Sequence, residues 1–463
     1  MSLEEKFKAF FSLDDRYNQN ERTFLIKCIA WILIIRFLLI FWTIVFPDTR
    51  GTIGFLSTTN PLMNDSRFYY EIATQGYHEE MLVNFSPAFP VIMSIFNQIM
   101  RPFFRDPQDF QIFTQYTPFF LNTIFLVATP YFLLGFLKNI IKDEKKAKMA
   151  LIVVLFNPIF FCYSIFGLTE PLHFLLLFIV LNSHYSRGFK HRIIEYACLV
   201  PLMLNRFINI VLAAFYLYKA LLSKNISIKE RILMMVPVLI LGGVYFGWEF
   251  FCLKFFGITP SAARAEYWGH YFQLNPLSPN FALQLPLLLS GAVLGVTVLQ
   301  SNLCKNTQFI EDEESNFRRI EIQALLAFVV ITLLFLGAIN LQISVLRYIG
   351  SLFPIFLIQN FELKTSKHLS IISFLVYVGM IISSIIAMPL IVFLTESGAI
   401  PSIKKNITAT PLELILTILL SSILVICLVK FYLNRFKIKS IDKALYTQIM
   451  LAVLMMPLAI YFP

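Results

Sequence analysis

Long apolar runs broken by short polar clusters set the rhythm of this chain. Phe24 to Phe46, Ile232 to Phe256, Leu369 to Leu394 and Leu412 to Tyr432 are each long enough, at about 1.5 Å per helical residue, to cross a hydrocarbon core of about 30 Å. Further apolar segments near Phe110 to Leu137 and near 281–300, 321–340, 346–361 and 444–462 continue the alternation. The pattern predicts an all-α fold, a polytopic transmembrane bundle of about twelve membrane helices, some of them short or re-entrant. A β-barrel would need short segments of alternating polarity, which the sequence lacks. No repeat, Gly/Ser linker or appended polar domain interrupts the pattern, so residues 1–463 read as one membrane domain.

Three places depart from simple alternation. After the first span, an external segment of about residues 47–108 carries an amphipathic helix candidate, Asp65 to Gln75, and the apolar stretch Pro87 to Met100. That stretch is of interfacial or half-spanning length; a full crossing would put the next basic cluster on the wrong side. Two pairs of short helices follow. The first pair meets near Gly167-Leu168-Thr169-Glu170-Pro171; the second is interrupted at Asn205-Arg206, which leaves Arg206 at membrane depth. Broken helices are tolerated where they line a polar chamber.

Composition agrees with a lipid solvent: 57% of residues are apolar, 14% are charged and mean hydropathy is +0.71. The 49 Phe and 19 Tyr suit helix packing and interfacial belts. A net charge of +10 would suit nucleic acid, but the position of the basic residues argues otherwise. Most Lys and Arg cluster before Phe24 and in 138–148, 187–192, 219–231, 305–319, 364–367 and 430–443, whereas the opposite loops are sparse in them. By the positive-inside rule those clusters and the N-terminus are cytosolic, and no nucleic-acid partner is implied. Met1 to Arg22 is polar and the first apolar run is full length, so no cleavable signal peptide is expected. The six cysteines are scattered singly, giving neither a disulfide framework nor a zinc spacing.

Few polar residues stand where chemistry is available. Asp65 opens the external amphipathic helix, where a carboxylate can take the proton of an attacking hydroxyl, worth about 10²–10⁴ in rate; a helix N-cap is the plainer role. Glu170 sits at the external tip of the first short pair and suits either a sugar hydroxyl or a solvated loop acid ahead of Pro171. Arg206 costs about 2.5–3.5 kcal/mol at the centre of a membrane helix, so it needs a phosphate or an internal carboxylate as partner. Arg347, which begins a span from outside, suits a phosphate or simple snorkelling. The loop Glu266-Tyr267-Trp268-Gly269-His270-Tyr271-Phe272 offers aromatic faces for a sugar or acyl chain, though interfacial aromatics are common. Arg36 in the first span has no assigned role. His78 and His173 stand alone in sequence and read as structural; no metal or other cofactor is called for. Sequons at Asn64, Asn84 and Asn406 are a weak pattern on the external side.

Taken in order, these segments resemble the PIG-V family, the GPI mannosyltransferase II type of the GT-C superfamily. Asp65-Ser66-Arg67-Phe68-Tyr69-Tyr70-Glu71-Ile72-Ala73-Thr74-Gln75-Gly76-Tyr77 is similar to the family's aspartate-led segment, and Asn84-Phe85-Ser86-Pro87-Ala88-Phe89-Pro90 to its Phe-Phe-Pro-x-Tyr-Pro stretch. Thr169-Glu170-Pro171-Leu172, Trp268-Gly269-His270, Arg347-Tyr348 and Phe353-Pro354 follow in the family's order, over about residues 60 to 355. Asn64 stands where the family commonly has Trp, and Pro171-Leu172 where it has Ser-Leu. The resemblance implies inverting transfer of one sugar, typically mannose, from a polyprenyl-phosphate donor to a glycan or glycolipid acceptor on the external or lumenal face. In that reading Asp65 is the base and Glu170 a second catalytic candidate, Arg206 and Arg347 are the phosphate-binding candidates, and Glu71, Trp268, His270 and Tyr348 the substrate-binding ones. The expected location is the plasma membrane of a prokaryote or the endoplasmic reticulum of a eukaryote, with an accessory membrane subunit as a further partner. Broken helices and an intramembrane arginine also mark transporters and lipid flippases, and a non-catalytic assembly subunit would share the fold.

Overall fold

The computed structural model of the protein describes residues 17–45, 65–141, 143–156, 168–186, 188–222, 227–268, 288–296, 298, 313–338 and 354. Among the described residues the structure is helical and contains no strand. In chain order the helices are α1 (Gln19–Val45), α2 (Asp65–Gln75), α3 (Ala88–Met100), α4 (Pro107–Ile140), α5 (Glu144–Leu155), α6 (Glu170–Tyr185), α7 (Phe189–Asn205), α8 (Ala213–Leu222), α9 (Ile228–Phe256), α10 (Pro260–Trp268) and α11 (Glu313–Ala338). Short 3-10 turns occupy Glu80–Asn84, Arg101–Phe103 and Phe207–Leu212. The spans expected at 346–361, 369–394, 411–432 and 444–462 lie outside the described residues, apart from Pro354.

Two of the described helices, α4 and α9, are long and apolar enough to cross a membrane. They differ in surroundings: 56% of the apolar window of α4 is buried within the protein, against 11% for α9. The α9 surface instead presents Ile232, Leu239, Phe246 and Phe250, which are 62–69% exposed. Helix α3 has 13 residues, about 20 Å, too short to cross. Phe89, Met93 and Asn97 face inward, while Val91, Ile95 and Ile99 form an exposed apolar stripe.

Local chemistry fixes the helix ends. Asn18 and Glu21 cap α1 reciprocally, each side chain accepting from the other's backbone N–H at 2.9 Å. Ser227 and Glu230 make the same box on α9, which ends at Gly257 in the left-handed conformation. Asp106 caps α4 and Asp143 caps α5 through backbone N–H groups at 2.8 and 3.0 Å. These caps also stitch helices together. Lys138 of α4 reaches Glu21 at 2.8 Å, and Glu144 accepts from Lys148 at 2.5 Å and from Asn18 at 3.0 Å.

The Lys148 ammonium and the Asn18 amide hold the Glu144 carboxyl below its ordinary value. A carboxylate depressed in the folded state contributes stability at neutral pH that is lost on acidification through the depressed value. Glu144→Gln is therefore expected to lower thermal stability slightly at pH 7, within the about 0–1 kcal/mol of exposed pairs, with the difference from wild type vanishing in acid. Melting curves at neutral and acid pH check it.

Around the central α4, α1 docks through Arg36, α5 folds back, and α6 packs between α4 and α7. Arg36 is buried; its Nε donates to Thr123 Oγ1 at 3.0 Å, its Nη2 to the Phe119 carbonyl at 2.9 Å, and it lies 4.0 Å over the Phe119 ring. It thus ties two helices together. Where α4 crosses α6, a Cβ on Gly135 would lie 2.5 Å from Asn182 Oδ1 and 3.0 Å from the Tyr17 hydroxyl, so only glycine fits that approach. Helix α8 packs on α9 and α11.

A buried polar network joins α6, α7, α8 and α11. Lys219 donates to Glu321 at 2.7 Å and to His184 Nε2 at 2.8 Å; His184 Nδ1 donates to Glu195 at 2.8 Å. Lys219 can only donate, so the His184 ring hydrogen sits on Nδ1. Tyr216 donates to Glu195 at 2.8 Å and Tyr185 to Glu321 at 2.5 Å. Charge counting places Lys219 in a solvated cytosolic cluster. In the structure its side chain is 6% exposed, because acids on neighbouring helices take it inward.

Candidate functional site

Two of the candidate residues, Glu170 and Arg206, meet at the end of α6 and α7 opposite this network. Pro171 presets the first turn of α6, which places Glu170 inside the helix rather than in a loop. Glu170 is fully buried, which excludes the solvated loop acid. On the neighbouring helix, α7 stops at Asn205; Arg206 turns extended (φ −154°, ψ 120°) and a 3-10 turn leads on to α8. The interruption expected at Asn205-Arg206 is therefore real. Arg206 Nη2 lies 3.3 Å from Glu170 Oε1, so of the two partners open to this arginine the protein supplies the carboxylate.

Amide side chains organise the backbone around that pair. Asn205 Nδ2 donates to the Thr169 carbonyl at 3.1 Å, and Asn122 Nδ2 of α4 to the Leu168 carbonyl at 2.9 Å. Asn209 Nδ2 donates to the Leu202 carbonyl at 2.6 Å, a second donor on the oxygen that also takes the Arg206 N–H at 3.4 Å where α7 ends. His173, one turn along α6, is also buried. Thr169 Oγ1 and Asn205 Oδ1 are buried with no hydrogen-bond partner among the described residues. The result is a polar layer shared by α4, α6 and α7.

Helix α2 packs on α3 and α4 from the external segment. Tyr69 packs edge-on against Phe85 and Phe89, at 5.4 and 5.7 Å, and Phe89 meets Phe125 at 6.5 Å. Phe125 lies one turn from Asn122 on α4. Asp65 is the first residue of α2; its side chain lies outside what the structure describes.

Helix α10 closes another flank. Arg264 Nε donates to Asn84 Oδ1 at 2.9 Å, while its guanidinium stands 5.7 Å over Phe207, the residue after Arg206. Tyr267 donates to Glu80 at 3.2 Å. Desolvation, then the hydrogen bond to Glu80 and the carboxylates of Glu266, Glu80 and Glu79, push the Tyr267 phenol above its ordinary value. Arg264 was invisible as a site residue, since its only signal is a charge on the outer side. The Asn84 amide oxygen, part of a sequon, is engaged by it.

Glu71 is half-buried on α2 and lies 3.1 Å from His78 Nε2, with Glu79 4.0 Å from the same nitrogen. His78, alone in sequence terms, is thus bracketed by two carboxylates. The Trp268 side chain and the whole of His270, Arg347 and Tyr348 lie outside the described residues. The structure accordingly brings together Glu170 and Arg206 directly, with the α2 and α10 segments beside them. No protein-family model matches the chain, and no curated protein matches it in sequence comparison.

Proposed function

We propose that this chain is a polytopic membrane glycosyltransferase of the GT-C type. It moves a sugar, mannose in the family it resembles, from a polyprenyl phosphate to a glycan or glycolipid acceptor on the external or lumenal face. One observation supports the reading: the Asn84 and Glu170 segments, two of those that hold the resemblance, are linked through Arg264, Phe207 and Arg206. Asn84 meets Arg264 of the helix leading to Trp268, Arg264 covers Phe207, and Arg206 pairs with Glu170. The outward apolar face of α9 and the short α6–α7 pair support a lipid setting for this chamber.

The chemistry needs little from the protein. The acceptor hydroxyl attacks the anomeric carbon while its proton passes to Asp65, and the bond from that carbon to the phosphate oxygen breaks with inversion. The polyprenyl phosphate departs carrying the added negative charge, which arginine stabilises best when held in place beforehand. Arg206 and Arg347 serve the phosphate, and Glu170 orients Arg206. Glu71, Trp268, His270 and Tyr348 line the sugar and acceptor side.

The test is transfer of radiolabelled mannose from polyprenyl phosphate mannose to membrane acceptors by purified protein in liposomes. Wild type is expected to transfer, and Asp65→Asn to lose about 10²–10⁴ in rate while remaining folded. Equal rates would remove Asp65 as the base. The buried ionisable groups Glu170, Arg206, Lys219 and Glu321 also favour a transport path as a second reading. Flipping of a fluorescent lipid in the same liposomes, without mannose transfer, would establish that reading instead.

A further inference from the structure

Helix α2 ends at Gly76, whose left-handed backbone (φ 77°) turns the chain back so that His78 lies over Glu71, two turns earlier. His78 Nδ1 stands 3.1 Å from the Gly76 carbonyl. That oxygen can only accept, so Nδ1 carries the ring hydrogen and Nε2 is turned toward the carboxylates, 3.1 Å from Glu71 and 4.0 Å from Glu79. The three donor atoms lie within 4.8 Å of one another. A nitrogen lone pair facing two carboxylates is repulsive unless a cation sits between them, and that cation is either a second proton or a metal.

Three features favour the metal. A histidine whose second N–H is held by a backbone carbonyl is oriented as metal-ligating histidines are. Donors 3.1 and 4.0 Å apart suit an ion that holds each at about 2.1 Å. The surrounding field is negative, since Glu266, Glu80 and Glu79 all act on the Tyr267 phenol nearby. We propose that Glu71, His78 and Glu79 form a binding site for a divalent transition-metal cation, Mn²⁺ or Zn²⁺, beside α2. Mixed imidazole and carboxylate donors suit these ions.

Three protein ligands leave coordination positions open to water or to a ligand oxygen. In glycosyl transfer those positions take a hydroxyl oxygen of the sugar or acceptor, a role that rests on the reading above; cation binding itself does not.

The experiment uses the full chain in lipid nanodiscs with Mn²⁺ alone, following loss of the free-ion electron paramagnetic resonance signal. Wild type is expected to bind one Mn²⁺ per chain, saturably and displaceably by Zn²⁺. Glu79→Gln weakens binding by about tenfold or more and His78→Ala abolishes it, whereas Asp109→Asn, altering an acid in the first turn of α4, changes nothing. Glu79 is on the surface, so its variant folds; Mn²⁺ raises the melting temperature of wild type and not of Glu79→Gln. Absence of saturable binding by wild type, or unchanged binding by both ligand variants, overturns the proposal. Saturable binding in a protein that transfers no sugar keeps the site and overturns the transfer reading.

Discussion

Glu170→Gln is expected to lower the unfolding free energy by about 3–5 kcal/mol, and Arg206→Met by a similar amount. Both partners are removed from water, Glu170 completely and Arg206 to 8% exposure, with 3.3 Å between the charged atoms. Removing one charge takes from the other its opposite charge at 3.3 Å in a medium that solvates it poorly, and that lost pairing dominates the cost. The double variant leaves neither charge and is expected to recover most of the stability. Unfolding in one detergent across the four proteins gives the coupling; simple additivity of the two single losses would overturn this account. Transfer measured on the recovered double variant separates the roles. A stable protein without transfer means that the Glu170–Arg206 pair serves the proposed reaction as well as the fold.

Lys219→Met is expected to cost about 3–5 kcal/mol at the opposite end of the same helices. Glu321 would keep only the Tyr185 hydroxyl among the contacts described, and His184 Nε2 would lose its donor. Lys219→Met with Glu321→Gln removes the unpaired charge and is expected to restore about half of the loss or more, leaving the cost of the imidazole nitrogen. Transfer should fall only as far as the folded fraction does. A loss below about 1 kcal/mol for Lys219→Met would mean that water reaches the network and screens it.

The sequence made the interruptions legible and the pairings illegible. Asn205-Arg206 announced a break because an amide and a guanidinium are costly in an apolar helix, and α7 stops at that point. Pro87 to Met100 was too short to cross, and α3 is a helix of that stretch. The partner of Arg206 was one of two options, because a carboxylate 36 positions away meets it only once α6 and α7 fold together. Glu170 stood open between a sugar ligand and a loop acid, since a Pro usually marks a boundary; here the boundary itself is buried. His78 read as isolated because its neighbours depend on a left-handed turn at Gly76, a signal that Gly76-Tyr77 carries weakly. Charge counting puts Lys219 in a cytosolic cluster, which gives the side of a membrane and not the depth of a side chain.

The two polar ties on α6 and α7 have a mechanical meaning. Four helices grip the end at His184, so a separation at the Glu170 end that kept this grip would be a swing about it. The lever arm from position 170 to 184 is about 21 Å, and a swing of about 5° carries the carboxylate about 2 Å. That displacement takes a 3.3 Å ion pair out of contact without disturbing the hinge. A phosphate that takes Arg206 from Glu170 would release that pair by competition, with no separate moving part.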